Sequence, residues 1–136
     1  MSVKKFSTIT KKNPKGNIIK LINENDKFSK FKGEAYISKI NKNKIKAWKL
    51  HKRANLNLFI IYGKIILVTL NKNKFHQINL DYKYHNRIYI PKGTIFGFQN
   101  LSANQTYILS ISDVVYDKKE SLSFKLKEFE YNWLKK

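Results

Sequence analysis

The chain has no cysteine and only two prolines, Pro14 and Pro91, among its 136 residues. Without thiols it can form neither disulfides, thiolate metal sites nor a cysteine nucleophile, and a reducing compartment is permitted. No apolar run approaches the roughly 18 residues that a membrane span needs. The opening "MSVKKFSTITKKNPKG" is basic and lacks the apolar core of a signal peptide. The expectation is a soluble cytoplasmic protein with no membrane partner. Acidic residues are also scarce, nine against 28 lysines and arginines, for a formal net charge of +19.

That charge would attract a polyanion, but its composition argues for another origin. Only Arg53 and Arg87 are arginine. Selection for phosphate recognition tends to keep the bidentate guanidinium, whereas a joint excess of Lys, Asn and Ile is what AT-rich coding produces. We therefore read the charge as composition drift more than as a dedicated nucleic-acid surface. The positive field is real in either case, and it favours anionic small molecules.

Short segments rich in Ile, Val, Tyr and Phe recur at 34–40, 45–51, 56–62, 64–70, 74–80, 87–90, 95–99 and 105–112. Between them lie "NKNK" twice, "YG", "PKG" and "SAN", all of turn composition. About eight strands with little helix predict an all-β fold, an antiparallel β-sandwich or barrel. A single domain over 1–136 is expected, with an N-terminal arm at 1–32, a barrel core at 33–116 and a C-terminal tail at 117–136 packed on the barrel. Trp133 is the expected anchor of that tail.

A glycine turn after the third strand, then "PKG" before an aromatic strand, resembles the two motifs of the cupin superfamily, a jelly roll. The first motif, H-x-H, four residues, Glu, six residues, Gly, falls on Lys49, His51, Leu56 and Gly63. The second falls on Pro91, Gly93, Phe96 and Asn100. The glycine, proline and asparagine frame is kept, while three of the four metal-ligand positions hold Lys, Leu and Phe. One imidazole among such groups cannot hold a divalent ion that needs three protein ligands, so no metal or other cofactor is expected. From "GEAYIS" at Gly33 to "YNW" ending at Trp133, the chain resembles the metal-independent dTDP-4-dehydrorhamnose 3,5-epimerases and the related dTDP-sugar 3,4-ketoisomerases. "IKAWKLHK" and "IPKGTIFGFQNLS" carry the resemblance most specifically.

The resemblance implies a site, and the sequence departs from it. The epimerase base falls on Lys49, the lysine that steadies the enolate on Leu56, and the tyrosine acid on Leu109; none of the three is retained. The ketoisomerase H-x-H pair falls on Lys49 and His51 and keeps its second member. Residues i and i+2 of a strand share a face, so Lys49 and His51 are expected inside the barrel together with Ala47 and Arg53. Phe96, Phe98, Asn100, Tyr107 and Leu109 are expected inward from the following strands. A lysine enclosed by Phe96, Leu56 and Leu109 beside a histidine can act as a general base or neutralise a bound anion, and both roles stay open.

Three functions follow from this reading. The first is an isomerase, an epimerase or ketoisomerase, moving a proton next to the ketone of a nucleoside-diphosphate 4-keto-6-deoxyhexose. Lys49 and His51 would transfer protons, Lys46, Lys52 and Arg53 would hold the diphosphate, and Tyr36, Phe96, Phe98, Asn100 and Tyr107 would complete the substrate site. The second is a non-catalytic binder of a carbohydrate or sugar nucleotide. The third, a basic barrel on nucleic acid, is weaker because no exposed aromatic platform is legible. Phe6, Ile18, Ile19, Leu21 and Ile22 make the arm unusually apolar, and a homodimer is expected to cover it.

Overall fold

The computed structural model describes residues 2–30 and 32–134. Twelve strands run β1 Lys4–Phe6, β2 Ile9–Lys11, β3 Ile18–Lys20, β4 Glu34–Ile40, β5 Ile45–His51, β6 Leu56–Tyr62, β7 Lys64–Asn71, β8 Lys74–Asp81, β9 Arg87–Ile90, β10 Ile95–Asn100, β11 Thr106–Ser112 and β12 Ser121–Ser123. Two short 3-10 turns, Tyr82–Tyr84 and Leu126–Glu128, complete the regular structure, and no α-helix occurs among the described residues. The strands form one sheet in the order β1-β9-β6-β11-β4, a second in the order β12-β5-β10-β7-β8, and the isolated pair β2-β3. Every pairing is antiparallel. The expected all-β sandwich is the observed fold. No helix among the described residues is long and apolar enough to cross a membrane.

Alternation along the strands builds two apolar layers. Leu56, Leu58 and Ile60 of β6 meet Ile65 and Leu67 of β7, Phe96 and Phe98 of β10 and Ile108 of β11 between the sheets. β7 is buried on both faces, which is why "KIILVTL" reads as an unbroken apolar run. Its other face, Ile66 and Val68, joins Trp48 beneath Phe124, Phe129, Tyr131 and Trp133 of the C-terminal tail. The Trp48 indole N–H donates to the Leu126 carbonyl at 3.1 Å, so the tail is held by a hydrogen bond as well as by area. Asn100, wholly buried, donates from Nδ2 to the carbonyls of Ile40, Asn41 and Asn104 and accepts from Ser102 N–H and the Thr106 hydroxyl. It ties the β4–β5 turn to the β10–β11 loop at one end of the sandwich. Its polar atoms are spent on structure, contrary to the substrate role expected for it.

A bulge corrects the inside–outside assignment of β5. Lys49 pairs with Phe96, but the next pair along β10 is Gly97 with Ala47, leaving Trp48 as the extra residue. Trp48 instead exchanges backbone hydrogen bonds with Phe124, at 3.1 and 2.9 Å. Ala47 and Trp48 therefore both pack with the outer aromatic layer, and Lys46, though exposed, stands on the cleft side beside Lys49. Ala47 was expected inside; one inserted residue reverses the parity beyond it. Gly97 is required here, since a Cβ on it would stand 2.4 Å from the Ala47 Cβ. Gly97→Ala should cost about 1–3 kcal/mol by overpacking, read as a lowered thermal midpoint with unchanged β-sheet circular dichroism.

Candidate functional site

The site is an open cleft between β5 and β10 of one sheet and β4, β6 and β11 of the other. It has two lobes of about 250 and 260 Å³ that share Tyr36, Lys49 and His51. Leu56, Leu58, Phe96 and Phe98 give the first lobe an apolar floor, with Lys46, Ser38 and Ser110 at its walls. Glu34, Ser112, Tyr116 and Glu120 line the second.

At the junction of the lobes sits a pair that sequence reasoning missed. His51 Nδ1 lies 2.6 Å from Glu120 Oε1, with both residues buried, at 7% and 3% exposure. Glu120 Oε2 accepts from the backbone N–H groups of Arg53 and Ala54 at 3.2 and 3.1 Å. The Glu120 carbonyl accepts from Lys52 N–H at 2.7 Å. The turn after β5 is thus wrapped around one carboxylate delivered by the tail. Burial pushes the Glu120 carboxyl up, but the hydrogen bonds from His51, Ala54 and Arg53 outweigh it and hold the group below the usual glutamate range. An ionised Glu120 selects the tautomer with the proton on Nδ1, and in that tautomer of the neutral imidazole Nε2 carries the lone pair. No buried side-chain nitrogen or oxygen among the described residues lacks a hydrogen-bond partner, and Nε2 makes no hydrogen bond, so Nε2 opens onto the cleft.

The same strand end is anchored by the "PKG" turn. Gly93, at φ +81°, donates its N–H to the His51 carbonyl at 2.7 Å; a side chain there would be strained. The Phe96 ring stacks on the imidazole, 17° from parallel with centroids 6.0 Å apart. His51 is fixed at its backbone, its ring face and its Nδ1.

Across the cleft stands Tyr36 of β4, paired in register with Ser110 of β11. The residue as a whole is 37% exposed, yet its phenol reaches far enough into the cleft for burial to raise its pKa. Ser110 offsets part of that rise, and the carboxylates of Glu34 and Glu120 add to it. The phenol is a proton donor at neutral pH.

The expected site residues divide into two groups. Tyr36, Lys46, Lys49, His51, Phe96 and Phe98 come together in the cleft. Lys52 and Arg53 do not: both are exposed in the turn beyond β5, and the Arg53 guanidinium lies 3.2 Å from Asp117. β5 ends at His51, so the two-residue alternation that would have brought Arg53 inside stops there. Tyr107 and Leu109 also lie elsewhere. The buried residues of β11 are Thr106, Ile108, Ser110 and Ser112, which puts Tyr107 and Leu109 on the opposite face, with the Lys39 ammonium 5.2 Å from the Tyr107 ring centroid. The register of "TYILSIS" is one residue away from the expected one because both of its faces carry apolar side chains. Asp113 holds the turn before β6, its carboxylate accepting from Asn55 N–H and Nδ2 at 2.8 and 2.9 Å.

Among the described residues no group of three His, Cys, Asp or Glu side chains could hold a metal ion. The only imidazole in the cleft has Nδ1 engaged with Glu120.

No family model matches the chain, and no curated protein matches it in sequence. Its structure is similar to that of a dTDP sugar isomerase from Desulfovibrio desulfuricans G20, with a TM-score of 0.84, 16% identity, and coverage of 93% of this chain and 85% of that one. A 3,4-ketoisomerase from Helicobacter canadensis superposes with a TM-score of 0.79 and 19% identity over 90% of each chain. NovW, a 4-keto-6-deoxy sugar epimerase from Streptomyces spheroides, matches with a TM-score of 0.78 and 14% identity over 90% of this chain and 68% of that one. At these identities the likeness is one of architecture: the chain has the cupin-like antiparallel β-sandwich fold seen in these sugar isomerases and epimerases.

Proposed function

We propose that this protein is a sugar-nucleotide isomerase. It acts on a nucleoside-diphosphate 4-keto-6-deoxyhexose by moving a proton from the carbon beside the ketone, C3, to the carbonyl carbon, C4. The observation that carries this reading is the buried His51–Glu120 pair, whose free Nε2 faces a cleft that also holds an ammonium and a phenol. Such proton transfer needs a base on the carbon, a cationic or hydrogen-bonding partner on the oxygen, and an acid to return the proton. His51 Nε2 removes the proton from C3, and the electron pair of that bond moves to the C4 oxygen as the enediolate forms. Lys49, on the same strand face as His51, steadies the oxyanion. Reprotonation at C4 by His51, with Tyr36 relaying the hydroxyl proton, gives the 3-ketone. Lys49 thus works as an electrophile in place of a second histidine, and His51 is the base.

The diphosphate falls to Lys46, which the bulge puts on the cleft side, and not to Lys52. Lys46→Ala should weaken binding of the nucleotide sugar about tenfold or more, as loss of a hydrogen bond to a charged group does. Lys52→Ala should leave binding unchanged in the same calorimetric titration.

The arm supports a homodimer as the working assembly. β2 and β3 pair only with each other, and a lone two-stranded ribbon is marginal in water. Ile9 and Ile18 on it are 65% and 55% exposed. A second copy of the chain is the occupant that would cover them, and light scattering at micromolar concentration should return the mass of two chains. A single-chain mass would count against pairing.

A further inference from the structure

The buried arginine has no part in the cleft. Arg87 of β9 is 3% exposed, on the outer face of its sheet. Its Nη1 donates to Asn57 Oδ1 at 2.6 Å and its Nη2 to the Lys27 carbonyl at 2.8 Å, both neutral acceptors. The Phe6 ring lies 4.2 Å from the guanidinium carbon. No carboxylate lies within 4 Å of it among the described residues. Among the described residues Nε makes no hydrogen bond and no buried polar side-chain atom is left unpartnered, so Nε keeps access to solvent space. Burial pulls the Arg87 guanidinium below its ordinary range and the Asp26 carboxylate offsets only part of that, so a further anion would relieve a costly burial.

The space beside it is a crevice of about 360 Å³ between the arm and the sheet. Arg87 lines it with Lys20 and Lys27, both exposed at its rim, and Asp26 is the one acid among its lining residues, which together carry a formal excess of +2. Leu21 and Ile22 supply an apolar wall. We infer that this crevice binds a small organic phosphate monoester, its dianionic head on Arg87 and the lysines and its apolar body on Leu21 and Ile22. A phosphate monoester carries about −1.5 to −2 at neutral pH and matches the local excess, whereas a carboxylate neutralises only half of it. The guanidinium fork favours an oxyanion over chloride. This site lies on the opposite side of the sheet from the sugar-nucleotide cleft and does not depend on the function proposed there.

The two arginines make the test direct, because a nitrogen-15 spectrum of the native chain, in the assembly it takes in solution, contains only two Nε–H signals. Arg53 is exposed and paired with Asp117, and serves as the internal control. Titration with phenyl phosphate at constant ionic strength should shift the Arg87 signal saturably, with a dissociation constant of about 1 mM or tighter, while Arg53 stays. Inorganic phosphate should bind more weakly for want of the apolar body, and benzoate more weakly for want of charge. Arg87→Gln should abolish the phenyl phosphate response in calorimetry, and Lys49→Ala, in the other cleft, should retain it. An Arg87 signal that does not move, that moves together with Arg53, or that responds to benzoate as strongly as to phenyl phosphate would overturn the inference.

Discussion

His51→Asn should lower the rate of proton exchange at the sugar carbon by about 10²–10⁴, the range associated with loss of a positioned general base. Asparagine is the informative substitution because its amide nitrogen can take the place of Nδ1 and still donate to Glu120. The fold and the buried hydrogen bond would survive while Nε2 is deleted. Binding of the nucleotide sugar should change by less than tenfold, since the proposed diphosphate contact is Lys46 and not His51. Stopped exchange with retained binding is the expected signature, read by proton NMR in deuterated water alongside calorimetry. A variant that exchanges at the parental rate would transfer the base role to Lys49.

Glu120→Ala should be the most destabilising single change in the site. It removes the acceptor of His51 Nδ1, Arg53 N–H and Ala54 N–H together, and each buried donor left unpaired costs about 1–3 kcal/mol. Glu120→Gln should cost less, because the amide keeps the shape and one acceptor, yet it presents an NH₂ group to one of the donors. The same carboxylate sets an acid limit on stability. Its folded pKa lies below its ordinary value of 4.5. Its contribution is therefore complete above about pH 4.5 and is lost as pH falls through the folded pKa. The parental melting temperature should drop over that window, and the Glu120→Gln protein should show a shallower drop. Equal acid sensitivity in the two proteins would show that the carboxylate is not held as described.

The eight strands from Glu34 to Ser112 were legible because their signals are local: β-branched and aromatic runs bounded by Asn, Lys and Gly turns. Tyr36, Lys49, His51, Phe96 and Phe98 were legible as a set because motif spacing fixes which strands face each other. Glu120 was not, since its partner is 69 residues away and nothing near it in sequence marks it. "YDKKESLS" reads as a polar loop, and only the pairing of β12 with β5 gives its acid a role. Lys46 and Ala47 exchanged faces through a bulge that depends on the close approach of Gly97, a property of two strands and not of one. Tyr107 and Leu109 went to the wrong face because hydrophobicity cannot set the parity of a strand apolar on both sides, while the serines Ser110 and Ser112 mark its cleft side.

The strand pairs of the arm were missed for a related reason. "KKF", "ITK" and "IIK" are each three residues long, below the length at which alternation is a signal. What survived there was composition: Phe6, Leu21 and Ile22 are half-buried, and Phe6 lies over Arg87. Ile18 is exposed, which leaves the expected burial of the arm to a second chain.

The central claim is that the cleft moves a proton at a carbon beside a ketone, and isotope incorporation reads that event directly. Incubation of the protein with dTDP-4-keto-6-deoxyglucose in deuterated water, followed by NMR of the sugar, should show deuterium at C4 of the 3-keto product and, through the reverse reaction, at C3 of the 4-keto sugar. The signal should depend on His51. Binding of the nucleotide sugar in calorimetry with no deuterium at either carbon after hours of incubation would contradict the account and leave the cleft as a binding site without chemistry.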